Sequence, residues 1–205
     1  MNARTSYAKG IAKREEILRV ALEIFGREGE RNTTLRTVAQ ESRISLTGLR
    51  HHFESKDDLL TEVLRASNQA GYKRYRAQNA EGDPGEFLAQ SMALNAADPG
   101  RARLYVTLAA ASIDPAHPAH AYFKERFAFI RGTIADHLLA EERAGRMKPG
   151  FDPHFLAAAL VAACDGIQLQ WLSDPTIDMP DHVRRVWRLL TKGAESSDGA
   201  DAGAP

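Results

Sequence analysis

"TLRTVAQESRISLTGLRHHF", residues 34–53, carries two short apolar patterns separated by a few polar residues, and the second is too polar on its outer side to be a core helix. Leu35, Val38 and Ala39 give the first pattern one buried side, and Thr33 or Thr34 can cap its start. It stops near Ser42. The second opens at Ser45, a good N-cap, and runs to Phe53, with only Leu46, Leu49 and Phe53 as apolar anchors. Two short helices joined by a three- or four-residue turn form a helix-turn-helix. In a DNA major groove such a second helix meets base edges with its N-terminal residues. Small side chains at Ser45, Thr47 and Gly48 let it approach closely, with Leu46 beside them.

The flanks fit the same chemistry. Upstream, Ile17, Leu18, Ala21, Leu22, Ile24 and Phe25 form the stripe of an amphipathic helix over 12–27, closed by Gly29. Downstream, a fourth helix opens at Ser55 with Asp58 three residues on, a capping-box spacing. Thr34, and Ser55 with Lys56, place hydroxyls, free backbone N–H groups and positive helix ends where phosphate oxygens can be held. Arg36, Arg50 and His51 are the further candidate donors to DNA. The chain's net charge is zero, but residues 1–56 hold 11 Lys/Arg against 7 Asp/Glu, a balance of +4, and 57–205 hold 16 against 20, a balance of −4. The excess is modest, yet it falls on the segment that carries the motif.

Over residues 14–64 the chain resembles the N-terminal domain of the TetR family of transcriptional regulators. Thr34, Ile44, Ser45, Leu49, Phe53, Ser55 and Lys56 match that family's pattern in type and spacing, and Ala39 stands at its usual small position. Three positions depart from it. Arg43 stands where the family has a turn glycine, so a non-glycine residue is expected in a left-handed conformation. Arg50 replaces a tyrosine and His52 an aromatic residue, so the operator sequence does not carry over. The resemblance implies a homodimeric regulator, a repressor that a small-molecule ligand releases from DNA by tilting the fourth helix and spreading the two reading heads.

The rest also reads as helix, at 86–97, 101–112, 118–146, 153–173 and 180–192, with Gly/Pro signals at each boundary and no convincing strand. The fold class is therefore all-α: an N-terminal three-helix domain with the helix-turn-helix (1–56), then a helical ligand-binding and dimerisation domain (57–193), then a small, polar tail (194–205) expected to be disordered. Between 86 and 146 the chain has more aromatic residues than solubility needs. Phe87, Met92, Leu104, Tyr105 and Leu108, with Tyr122, Phe123, Arg126 and Phe127, are candidates to line a ligand pocket, although core is the better reading for any one of them. The helix at 153–173 combines a run of alanines with Leu160, Ile167 and Trp171, and the last helix repeats Val183, Val186, Trp187 and Leu190 at i, i+3, i+4 and i+7. These seven residues are the candidate dimer interface, two helices from each subunit forming a four-helix bundle.

Enzymatic readings find little support. Cys164 lies among small apolar residues and reads as core; no nucleophile elbow, zinc-protease helix or phosphate loop is present, so no catalytic residue, metal ligand or cofactor is expected. His51 and His52 point about 100° apart on a helix, a poor metal pair. A helical metal enzyme using His117, His120, His154 or His182, an activator of the same fold, and a small-molecule carrier without DNA binding are the alternatives. A single cysteine excludes an intrachain disulfide, and neither a signal peptide nor a membrane span is seen, so a cytoplasmic protein without a membrane partner is expected.

Overall fold

A computed structural model describes residues 3–29, 32–78, 82–147 and 150–192. Every regular element among them is an α-helix: α1 (Ala3–Glu28), α2 (Leu35–Glu41), α3 (Leu46–Arg50), α4 (Lys56–Gln78), α5 (Pro84–Ala97), α6 (Pro99–Ala111), α7 (Ala119–Arg143), α8 (Pro153–Trp171) and α9 (Met179–Lys192). The all-α reading is correct. The tail 194–205 lies outside the described residues. By packing, the chain divides into two compact units, 1–80 with 94–124, and 81–93 with 125–205. This groups the chain differently from the division after residue 56, because α4 packs on α1 and α6 and so stays with the head.

In the first unit Ile17, Ala21, Ile24 and Phe25 of α1 fall on one face and are all buried, together with Val38 and Ala39 of α2, Leu49 of α3, Phe53, and Leu59, Leu60, Val63 and Leu64 of α4. Helix α1 begins at Ala3, not Ala12. In the added part Ile11 is 45% exposed, and the apolar stripe that marks the helix in the sequence is missing there. The stop at Gly29 is as expected: Gly29 has φ +76° and its N–H donates to the Phe25 carbonyl at 3.0 Å.

The turn after α2 is a Schellman motif. Ile44 N–H donates to the Ala39 carbonyl and Arg43 N–H to the Gln40 carbonyl, both at 3.0 Å, which puts Arg43 at the left-handed position with φ +54°. Arg43→Gly removes a left-handed cost of about 1–2 kcal/mol and adds about 0.4–1 kcal/mol of unfolded-state entropy, so a net gain of ~0.5 kcal/mol is expected. Denaturant unfolding of the two proteins reads this directly; a variant that is less stable contradicts it.

In the second unit α8 and α9 pack against each other. Asp152 caps α8 by accepting from the N–H groups of His154 and Phe155, and Asp178 accepts from Asp181 N–H at 2.9 Å ahead of α9. The core holds Leu88, Ile130, Ile134, Leu138, Leu160, Cys164, Ile167, Trp171, Val183 and Trp187. Burial, reinforced by Asp165 and opposed by Arg126, lifts the Cys164 thiol to about 12, which keeps it protonated and unreactive. No helix among the described residues is long and apolar enough to cross a membrane.

Candidate nucleic-acid interface

The helix-turn-helix is assembled by local caps that the sequence spells out. Thr34, in extended conformation, accepts from Thr37 N–H through its hydroxyl at 3.1 Å and starts α2. Ser45 does the same for Gly48 N–H at 2.9 Å and starts α3. At α4, Ser55 Oγ accepts from Asp58 N–H at 3.0 Å, while Asp58 Oδ2 accepts from Glu54 N–H at 2.9 Å, a reciprocal box that closes one residue early. Helix α3 ends at Arg50, short of the expected Phe53. The chain tightens there, His52 N–H and Phe53 N–H both donating to the Leu49 carbonyl, and this turn drives Phe53 into the core.

Fixing the two ends of α3 leaves its outer side in solvent. Ser45, Thr47, Arg50 and His51 are exposed, as are Thr34 and Arg36 on the preceding helix; Leu46 and Lys56 are half-buried. Gly48 is half-buried too, and it has a local reason to be glycine. A Cβ there would lie 3.2 Å from the Ser45 hydroxyl and 3.8 Å from Ile44 Cβ, so the missing side chain makes room for the cap.

Five cations on α1 and α4 are tied to carboxylates: Lys13 to Glu16, Arg14 and Arg65 to Glu62, Arg19 to Glu23, and Arg27 to Glu28 and Glu41. Arg36, Arg43, Arg50 and His51 have no side-chain ion pair or hydrogen bond among the described residues. Arg43 is thus a solvent-facing cation as well as a conformational oddity, a role that sequence reasoning missed; its signal was its place at the turn between the two helices.

The candidate pocket residues fall in both units, and those of the first are core. Leu104, Tyr105, Leu108, Tyr122 and Phe123 belong to the first and are buried, with Tyr105 and Tyr122 edge-on to Phe123 at centroid distances of 5.4 and 5.1 Å. Met92 is buried in the second, where Phe87, Arg126 and Phe127 are half-buried.

Of the candidate dimer-interface residues, Leu160, Ile167, Trp171, Val183 and Trp187 are each less than a tenth exposed within one chain, where α8 packs on α9 and Trp187 also meets Gly85 and Asp83. Only Val186 and Leu190 remain half-exposed. The apolar surface left open lies on the other side of α8, where Phe155 is 66% and Leu169 57% exposed and Ala158 and Ala162 lie bare between them; Leu189 on α9 is 75% exposed.

Two histidines of the metal-enzyme alternative, His117 and His120, have other partners. His117 Nδ1 accepts from Ala119 N–H and its Nε2 lies 3.5 Å from Asp57, while His120 Nδ1 lies 2.9 Å from the Ser112 carbonyl. Among the described residues no three His, Cys, Asp or Glu side chains are placed to hold one ion.

A capped helix-turn-helix on a helical core, with Arg36, Arg43, Arg50 and His51 on its outer side, has the geometry of a major-groove reading head. Residues 17–63 match the model for bacterial regulatory proteins of the tetR family. The chain is 30% identical over 131 residues, 64% of its own length, to the HTH-type transcriptional repressor KstR2 of Rhodococcus jostii, of which it covers 54%. It is 47% identical over 52 residues, a quarter of its length, to an HTH-type regulator encoded upstream of dhlA in Xanthobacter autotrophicus. The chain thus spans about half or less of the curated relatives it matches. Solved structures share the fold along nearly the whole chain. A transcriptional regulator from Rhodococcus sp. Rha1 has TM-score 0.69 at 20% identity over 89% of this chain and 98% of its own. Thermus thermophilus FadR, crystallised with lauroyl-CoA, has TM-score 0.64 at 22% identity over 93% and 100%.

Proposed function

We propose that the protein is a homodimeric DNA-binding transcriptional regulator, a repressor that leaves a palindromic operator when a small molecule binds its C-terminal region. Residues 1–56 are the reading head and 57–193 the effector-binding and dimerisation region. The observation that carries the reading is the unpaired group Arg36, Arg43, Arg50 and His51 around the outward face of a capped helix-turn-helix. Thr34, Arg36, Arg50, His51 and Lys56 hold phosphates, and Ser45, Leu46 and Thr47 face the bases, with Gly48 supporting the Ser45 cap beneath them.

Two copies joined through the open faces of α8 and α9 present two heads to half-sites about 34–36 Å apart on one side of the duplex, which is why the operator is a palindrome. An effector that prefers the DNA-free form by ~100-fold supplies roughly 2.7 kcal/mol of coupling, enough to act as the switch.

Capture of bound fragments from genomic DNA, followed by titration of the recovered site, tests the function; lauroyl-CoA is a first effector probe because the T. thermophilus neighbour was crystallised with it. Absence of any specific fragment counts against regulation. Arg50→Ala is expected to weaken binding about 10-fold at low salt and to flatten the plot of log K against log salt by ~0.9 for each phosphate that the variant no longer neutralises, with little change in melting temperature. An unchanged slope and affinity removes Arg50 from the interface.

A further inference from the structure

A line of polar contacts runs through the first unit from the exit of α3 to the first turn of α7. At one end is Arg14 on α1. Its guanidinium stacks over the Phe53 ring at 4.4 Å and donates to the His52 carbonyl at 3.4 Å, so it grips the turn that fixes how α3 leaves the core. Its other nitrogen pairs with Glu62 on α4 at 2.6 Å. Glu62 uses its second oxygen on Arg65 at 3.0 Å, and the Arg65 guanidinium lies over the Tyr122 ring at 4.8 Å. The Tyr122 hydroxyl accepts from Asn68, one turn further along α4. Glu62 is therefore the junction: one carboxylate holds two guanidiniums, one facing the recognition turn and the other facing α7. Its side chain is 23% exposed and those of Arg14 and Arg65 about a third, which leaves the ions less screened than fully exposed pairs.

We infer that Glu62 is a positioning residue for DNA binding, one that couples the seat of Tyr122 at the start of α7 to the setting of α3 through Arg65 and Arg14. The inference rests on the regulator reading above, in which the unliganded protein is the DNA-binding form. Glu62 touches no DNA; it holds Arg14 against His52 and Phe53, and so presets the angle at which Thr47 and Arg50 are offered. Displacement of Tyr122 removes the surface on which Arg65 rests, and the shared carboxylate passes that change to Arg14. Two discrete arrangements of such a chain can bias a head between tight and loose states without any contact to the ligand.

The test is a double-mutant cycle in the full-length protein, using the operator fragment that genomic capture recovers. Glu62→Gln keeps the shape and removes the charge; Tyr122→Leu keeps the bulk and removes the ring beneath Arg65. Each is expected to weaken operator binding by about 5- to 10-fold, and the pair by no more than the worse of the two, because both break one chain. The salt slope stays at the wild-type value, since every phosphate keeps its cation. Arg14→Lys, which keeps the charge but not the planar stack on Phe53, behaves like Glu62→Gln. Binding is measured well below the melting temperature of each variant, so a loss of global stability alone moves none of these readings. Affinities that stay at wild type, or losses that multiply in the double variant, overturn the coupling while leaving the regulator reading intact. A wild-type protein that recovers no specific fragment overturns both.

Discussion

Phe155→Asp combined with Leu169→Asp is expected to give a folded monomer with operator affinity reduced by ~10²–10⁴-fold. Residues 155, 158, 162, 166 and 169 follow one another at i, i+3, i+7, i+11 and i+14, so Phe155, Ala158, Ala162, Gly166 and Leu169 share one stripe of α8. Their exposure identifies that stripe as the side turned away from the core, whose own row runs through Ala157, Leu160, Cys164, Ile167 and Trp171. Small residues between two large ones allow a second copy of α8 to approach closely, and Leu189 on α9 is exposed as well. Two aspartates on this stripe cost the monomer little, since both positions are already more than half in water. In the dimer they place four carboxylates in one desolvated seam. The affinity loss follows from tethering: joined heads bind the second half-site at high effective concentration, and separated heads do not. Sedimentation together with operator titration decides it. A dimer that survives both charges puts the seam elsewhere on the surface.

The same stripe shows what a sequence can and cannot declare. Val183, Val186, Trp187 and Leu190 have the spacing of a buried face, and they are buried or half-buried. Periodicity states that a face is covered but not by what, and here the cover comes from the same chain, α8 packing on α9 and Gly85 with Asp83 meeting Trp187. The surface that stays open was harder to see because alanines dilute its hydrophobicity. Local chemistry was far more legible. Thr34, Ser45 and Ser55 cap helices because a hydroxyl at those positions needs only the next turn to act. The left-handed Arg43 was readable for the same reason, as a turn geometry imposed on a residue that is not glycine. The ion pair that separates Arg14 from Arg50 joins residues 48 positions apart on different helices, and no local pattern announces it. Aromatic richness between 86 and 146 served the core first, as the edge-on packing of Tyr105 and Tyr122 against Phe123 shows.

The largest stability effect from a single methyl group is expected at Gly85. A Cβ there would sit 2.3 Å from Cγ and Cδ1 of Trp187 and 2.9 Å from its Cβ, well inside any approach real atoms tolerate. The indole has no easy retreat. Its Nε1 donates to Asp83 Oδ2 at 2.7 Å, while the other oxygen of that carboxylate accepts from Glu86 N–H at 2.8 Å in the first turn of α5. One residue of α5 further on, Glu86 holds Arg184 of α9 through both oxygens, at 2.8 and 2.9 Å, and that guanidinium keeps the Glu86 carboxyl below the usual carboxylate range. Moving Trp187 therefore breaks its hydrogen bond to Asp83, the residue whose other oxygen holds the first turn of α5. Overpacking costs about 1–3 kcal/mol even where neighbours can shift. With these anchors Gly85→Ala is placed at the upper end, ~3 kcal/mol, or about 6–12 °C in melting temperature for a chain of this size. Gly132→Ala is the control: no atom lies within 4 Å of its Cβ position, so the usual helix preference for alanine makes it neutral or stabilising by up to ~1 kcal/mol. Equal melting temperatures for the two variants would show that the indole swings aside at no cost, and that the Asp83 bond does not fix the start of α5 to α9.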